Sequence, residues 1–199
     1  MQDGSIPRRR SRWPLFVMPG LLVVLAIGWT AFWFYASSQV GAQFDRWRTR
    51  EAQSGRVYDC GKLSVGGYPF RFEVRCRDAS VDLISQTANR KFGKGQLSEI
   101  LAVAQIYSPQ LLIAEFEGPL TVTEQGEQQS LVFGWRKAQS SVFGLPVSPQ
   151  RISLVVDDPT LERTAGTVRA PIGRAKQSEL HGRIAEGSAA ADPVIETVW

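Results

Sequence analysis

Cys60, Cys76 and His181 are the chain's whole complement of cysteine and histidine, too few soft ligands for most zinc or haem sites. The two cysteines are far from a C-x-x-C redox pair, but they flank a turn, Gly66-Gly67-Tyr68-Pro69, and a hairpin there would bring their sulfurs together. A disulfide closing a loop of about 15 residues contributes roughly 3 kcal/mol in the chain-entropy model. The alternative is two buried free thiols acting as small hydrophobes. His181 alternates with Glu179 and Arg183 on the polar side of a strand pattern, which reads as a solvated side chain and not a base. Glu115 and Glu117 share one strand face, and a wet face explains them better than a general acid–base pair. Asp157-Asp158 precedes Pro159, where Asp suits turn geometry. Gly93-Lys94-Gly95 lacks a P-loop frame, and no G-x-S-x-G elbow, G-x-G-x-x-G turn or H-E-x-x-H pair occurs. Arg71, Arg75 and Arg77 form a cationic stripe with Glu73 among them and no aromatic residue on the same face. That suits lipid headgroups or a salt-bridged sheet, not nucleic acid. The expectation is a chain that is not an enzyme, with no catalytic or metal residues and no cofactor.

The elements that carry these residues begin with a membrane segment. The chain has 199 residues, 43% hydrophobic and 21% charged, with a formal charge of +4. Arg8, Arg9, Arg10 and Arg12 supply most of that excess; beyond position 40 the charges nearly balance. Leu15 to Ala36 carries no charged side chain, and at about 1.5 Å per residue it spans roughly 33 Å, enough for a bilayer core. Trp13 marks one boundary, and Trp29, Trp33 and Tyr35 the other, as interfacial aromatics. The arginine cluster favours a cytoplasmic N-terminus. Val40-Gly41-Ala42 could pass for a cleavage site, but the apolar run exceeds the length of a signal h-region, which favours an uncleaved anchor. Val40, Phe44 and Trp47 then recur at helical spacing, a stripe that reads as packing on the following domain or the membrane surface, with a partner-helix site as the alternative. The expected organisation is a cytoplasmic tail over 1–12, a transmembrane anchor over 13–37, a juxtamembrane helix over 38–52 and a β domain over 53–199.

From Arg56 the hydrophobic period falls to two. Phe70-Arg71-Phe72-Glu73-Val74-Arg75-Cys76-Arg77 alternates without exception, a half-buried strand. Leu131-Val132-Phe133-Gly134-Trp135 and Ile152–Asp157 are weaker examples. By this alternation Phe70, Phe72 and Val74 line one apolar sheet face, and Leu131, Phe133 and Trp135 extend it, a surface able to hold lipid. Pairing Leu63 with Val74 and Val65 with Phe72 keeps apolar side chains together, but it needs a bulge near Gly61 to bring Cys60 to Cys76. Leu97–Tyr107 fits both helix and strand, and its neighbours favour strand. Gly118-Pro119 and Asp158-Pro159 read as turns. The fold class is mainly β, an N-terminal helix followed by an antiparallel sheet of long strands. Val194–Trp199 is a fresh apolar run: either it closes the sheet, or the chain is the first part of a larger one.

Tyr58-Asp59-Cys60, Gly67-Tyr68-Pro69-Phe70-Arg71, Val74-Arg75-Cys76 and Glu115-Phe116-Glu117-Gly118-Pro119-Leu120 carry a resemblance. With Trp47 and the anchor, they resemble domain-of-unknown-function family 2125 (DUF2125) of Gram-negative envelopes over about residues 13–185. The Gly-Tyr-Pro-Phe turn is more loosely similar to envelope proteins of the AsmA group. The resemblance implies a curved sheet with a greasy inner face and a role in accommodating lipid. It implies attachment to the bacterial inner membrane with the main domain in the periplasm, and it assigns no catalytic residue. Members are usually longer, which favours the larger-sheet reading. Gly66, Gly67, Tyr68, Pro69 and Phe70 are read as a structural turn, in which a glycine takes positive φ and Pro69 sets the exit. The expected partners are the membrane, lipid and other envelope proteins. The functional expectation is a membrane-anchored protein holding hydrophobic ligands, or alternatively a periplasmic scaffold.

Overall fold

A computed structural model describes residues 13–85, 90–124, 126, 129–145, 149–184 and 195–198; the tail over 1–12 lies outside them. One helix, α1 (Trp13–Gln53), runs unbroken through 37/38, so the anchor and juxtamembrane segments are a single rod of 41 residues, about 60 Å long. It ends where Gly55 takes φ 80 and the amides of Ser54 and Gly55 bond back to the carbonyls of Glu51 and Ala52.

Among the described residues, twelve antiparallel strands follow in one sheet. They are β1 (Arg56–Gly66), β2 (Arg71–Ser85), β3 (Arg90–Gln105), β4 (Ser108–Glu117), β5 (Leu120–Glu124) and β6 (Gln129–Gly134). Then come β7 (Lys137–Phe143), β8 (Arg151–Asp157), β9 (Thr160–Ala165), β10 (Val168–Arg174), β11 (Gln177–Ile184) and β12 (Ile195–Val198). Leu97–Gln105 lies in β3, paired on both edges, so strand pairing overrides its helical spacing.

The strand order hides a simpler plan. β4 and β5 pair with the same edge of β3, at residues 99–105 and 93–96 respectively, so they are two halves of one bent strand. The same holds for β6 with β7, β8 with β9, and β10 with β11, because each half pairs only with the matching half of its neighbour. The sheet is therefore a meander of long strands crossed by a crease. Gly118-Pro119 and Asp158-Pro159, expected as turns, lie in that crease. So do Trp135-Arg136 and Ala175-Lys176. In β2 the crease falls at Asp78, whose φ of 53 sits opposite Gly61, and Asp158 takes φ 50. Asp tolerates the left-handed region better than most residues. Hydrogen bonds cross the crease from Arg136 N to Asp157 O and from Asp158 N to Lys176 O. Arg136 also pairs with Asp158 at 2.7 Å, and that bond, then the charges of Asp158 and Asp157, raise its pKa above the ordinary value.

Residues directly opposite share a face. Val65, Val74, Ala102, Ala114, Ser140, Leu154 and Leu180 form one row across β1, β2, β3, β4, β7, β8 and β11. Leu63, Cys76, Ile100, Phe116, Ala138 and Val156 form the next. This apolar face is the inner face of a curled half-barrel. A sheet normally buries such a face against a second layer, yet Trp33, Cys76, Ala79 and Ala138 are the hydrophobic residues buried among those described. The only second layer among the described residues is the C-terminal part of α1.

Candidate functional site

α1 and β1 run antiparallel over matching lengths. Trp33 to Gln53 rises about 30 Å as helix, and the 11 residues of β1 extend about 36 Å. Arg48 locks the two together, donating from Nε to the Tyr58 carbonyl at 2.8 Å and pairing with Asp59 at 3.1 Å. Trp47 lies against the Tyr58 ring, 4.7 Å between centroids. The helix thereby covers the outer edge of β1, an edge that would otherwise invite another strand.

Between this half of the helix and the sheet lies a cavity of about 660 Å³. Val40, Phe44 and Trp47 form its helical wall, and Val74, Val81, Leu97, Ile100, Ala102 and Leu112 its floor. Leu120 and Leu145 reach it from further round the curl. The lining is almost wholly apolar, with no charged group but Asp59. Its volume falls within the roughly 300–1,000 Å³ usual for small-molecule pockets.

The Cys60 and Cys76 sulfurs stand 2.15 Å apart, at disulfide distance, and Cys76 lines the cavity. The observed register differs from the expected one by two residues: Leu63 faces Cys76 and Val65 faces Val74. No bulge is needed in β1. Left-handed Asp78 lets the face alternation slip by one residue, so Cys76 and Ala79 both point inward, and Cys60, opposite Ala79, joins them. The bond thus crosses the crease.

The turn preceding β2 is clamped to the helix. Gly67, at φ 96, takes the left-handed position, and a Cβ there would stand 2.7 Å from the Arg71 carbonyl oxygen. The Tyr68–Pro69 peptide is cis. Trp29 donates its indole N–H to the Pro69 carbonyl at 3.1 Å, Trp33 donates to the Arg71 carbonyl at 3.3 Å, and Thr30 bonds the Tyr68 hydroxyl at 2.8 Å. Trp33 stacks on Phe72 and meets Tyr68 edge-on. Trp33, expected as an interfacial aromatic, is therefore 4% exposed, a packing residue. Trp29 and Tyr35 remain open to the surroundings. Trp13 begins the helix.

The expected apolar face does not stay together. Val74 lines the cavity, while Phe72 is engaged by Trp33. Leu131 and Phe133 lie on the inner face, opposite Val122 and Leu120, outside the cavity. Phe70 sits exposed at the hairpin tip. Trp135 breaks the pattern: β6 ends at Gly134, and the crease turns the indole to the outer face. There its N–H donates to the Phe116 carbonyl at 2.9 Å and its ring fills the space over Gly118.

That outer face holds the polar candidates. Glu99 pairs with Arg75 at 2.6 Å and Arg77 at 3.0 Å, and Glu115 and Glu117 line the same open groove with Trp135. Arg71 pairs with Glu73, and exposed His181 lies 3.2 Å from Glu179. No group of three potential metal ligands occurs among the described residues. α1 is long and apolar enough to cross a membrane over Phe16–Gln53, a property that membrane anchors and signal sequences share. Val40, Phe44 and Trp47 were legible as a stripe packing on the following domain or the membrane surface; what sequence reasoning missed is which sheet residues stand opposite them and that a cavity lies between.

A protein-family model described as an uncharacterized protein conserved in bacteria (DUF2125) matches residues 33–199. The chain belongs to the DUF2125 family. The match begins at Trp33, so the region typical of DUF2125 includes the helical wall of the cavity as well as the sheet. Comparison with curated proteins and with solved structures gives no match.

Proposed function

We propose that this DUF2125 protein is a non-catalytic, membrane-anchored protein of the bacterial envelope that holds a lipid acyl chain between α1 and the inner sheet face. The carrying observation is the apolar cavity of about 660 Å³ walled on one side by Val40, Phe44 and Trp47. An apolar trough that the protein covers only in part favours an apolar occupant, because leaving such surface in water costs roughly 25 cal/mol per Å². The helix is an uncleaved anchor in the cytoplasmic membrane, the tail is cytoplasmic and the sheet stands in the periplasm, in line with the arginine cluster before the span.

The scaffold alternative, pairing a free sheet edge with other envelope proteins, is opposed at β10. There Pro171, a register shift between Pro171 and Gly173, and Arg169 and Arg174 all discourage strand addition.

The test is native mass spectrometry of the full chain extracted in mild detergent, with and without Ala102→Phe. That substitution fills the floor of the cavity and adds no charge. Wild type is expected to carry lipid, and the folded variant to have lost it. A folded wild type free of lipid, or a variant that retains the same lipid, overturns the reading.

A further inference from the structure

We infer that the tips of the β1–β2 and β3–β4 hairpins reach through the headgroup layer to the hydrocarbon boundary of the membrane that α1 crosses, so helix and sheet share one membrane-contact surface. This rests on the anchor reading above.

Depth along the helix sets the level of the turn. Leu15–Ala36 covers about 33 Å of helix, against a bilayer core of about 30 Å. Trp29, Thr30 and Trp33 lie three to seven residues before the end of that run, roughly 5–11 Å of helical rise inside it. These are the residues that grip Tyr68, Pro69 and Arg71. A turn fixed to the helix at that level cannot stand clear of the bilayer. The β3–β4 tip is tied beside it, because Ile106 N donates to the Phe70 carbonyl at 3.0 Å.

The chemistry of the two sheet ends agrees. At the docked end, Gly66 to Phe70 and Ile100 to Ala114 carry no charged residue, and Tyr68, Phe70 and Tyr107 are exposed, Tyr107 by 75%. Tyr107 suits the bilayer interface, where its ring meets hydrocarbon and its hydroxyl meets water, Phe70 suits the hydrocarbon side, and the Tyr68 hydroxyl is taken by Thr30. The first charge after the turn, Arg71, is paired with Glu73 at 2.6 Å. The opposite end carries Glu51, Arg56, Glu124, Arg163 and Arg169, which belong in water. The most exposed aromatic residues among those described in the sheet, Tyr68, Phe70 and Tyr107, thus stand at the end the helix holds at the membrane, whereas the exposed apolar residues toward the opposite end, Val168 and Ile172, are aliphatic.

The experiment uses the full chain in phosphatidylcholine vesicles. With Cys60 and Cys76 bonded to each other, single variants Phe70→Cys, Tyr107→Cys, Thr167→Cys and Val24→Cys each offer one thiol for a nitroxide label. Collisions with oxygen report hydrocarbon, and collisions with a soluble nickel chelate report water. Oxygen is expected to dominate at 24, 70 and 107, and nickel at 167, the tip of the β9–β10 hairpin. Nickel dominating at 70 and 107 while oxygen dominates at 24 overturns the inference and leaves the anchor standing. Nickel dominating at 24 overturns both. A lipid-soluble photoactivated carbene applied to the unsubstituted chain reads the same depth without mutation: adducts are expected on residues 67–70 and 106–108, and their absence while residues of the span are labelled rejects the inference.

Discussion

Gly66 and Gly67 show how narrowly one residue can be specified beside another that is not. Gly67 has positive φ and no room for a methyl group, whereas a Cβ on Gly66 meets nothing within 4 Å. Gly67→Ala is expected to lower the stability of the sheet by about 1–3 kcal/mol, and Gly66→Ala to leave it within about 0.5 kcal/mol. Urea unfolding in detergent micelles reads both; equal effects would remove the distinction. Alternation of residue types carries Phe72, Val74 and Leu131 along one face, because parity holds along an uninterrupted strand. It misplaced Trp135 because the strand stops one residue earlier, at Gly134, and parity carries no information past a crease.

The critical element pair is α1 with the turn before β2. Trp33 is the most enclosed aromatic there, stacked on Phe72 with its N–H satisfied. Trp33→Ala is expected to cost about 3–5 kcal/mol and to speed amide exchange over residues 66–72. Unchanged exchange would mean the turn holds its place without the helix. The disulfide works at the same scale by holding β1 and β2 together across the crease. Reduction is expected to cost roughly 3 kcal/mol in the chain-entropy model, measured by the denaturation midpoint with and without reductant; coincident curves would contradict the bond.

At the scale of the whole molecule, the sheet has one apolar face and half a cover. Nothing among the described residues closes the inner face beyond the reach of Val40, Phe44 and Trp47, and Phe133, Ile152 and Leu180 on that face stay exposed. A ligand that binds only the folded state raises stability by mass action, about 2.7 kcal/mol at a hundredfold excess over Kd. Delipidated protein is therefore expected to unfold at a lower temperature, and to recover when phospholipid is returned. An unmoved midpoint would mean that lipid does not occupy the trough.

The amino-acid sequence alone determined the long apolar helix, the change to strands near Arg56, the alternation that marks an apolar face and the placing of Cys60 and Cys76 on either side of one turn. These are local properties, set by the period of each element and by a turn a few residues long. The tertiary structure decided that Trp33 packs under the turn and that Val40, Phe44 and Trp47 wall a cavity on one side. It also showed Gly118-Pro119 and Asp158-Pro159 to be creases in continuing strands. Each of these depends on which segment lies opposite which, and a proline or glycine permits a bend without stating whether the chain then reverses or goes on. That choice is made by the neighbouring strand: β3 is long enough to pair with both β4 and β5 along one edge, and the strands beyond follow its line.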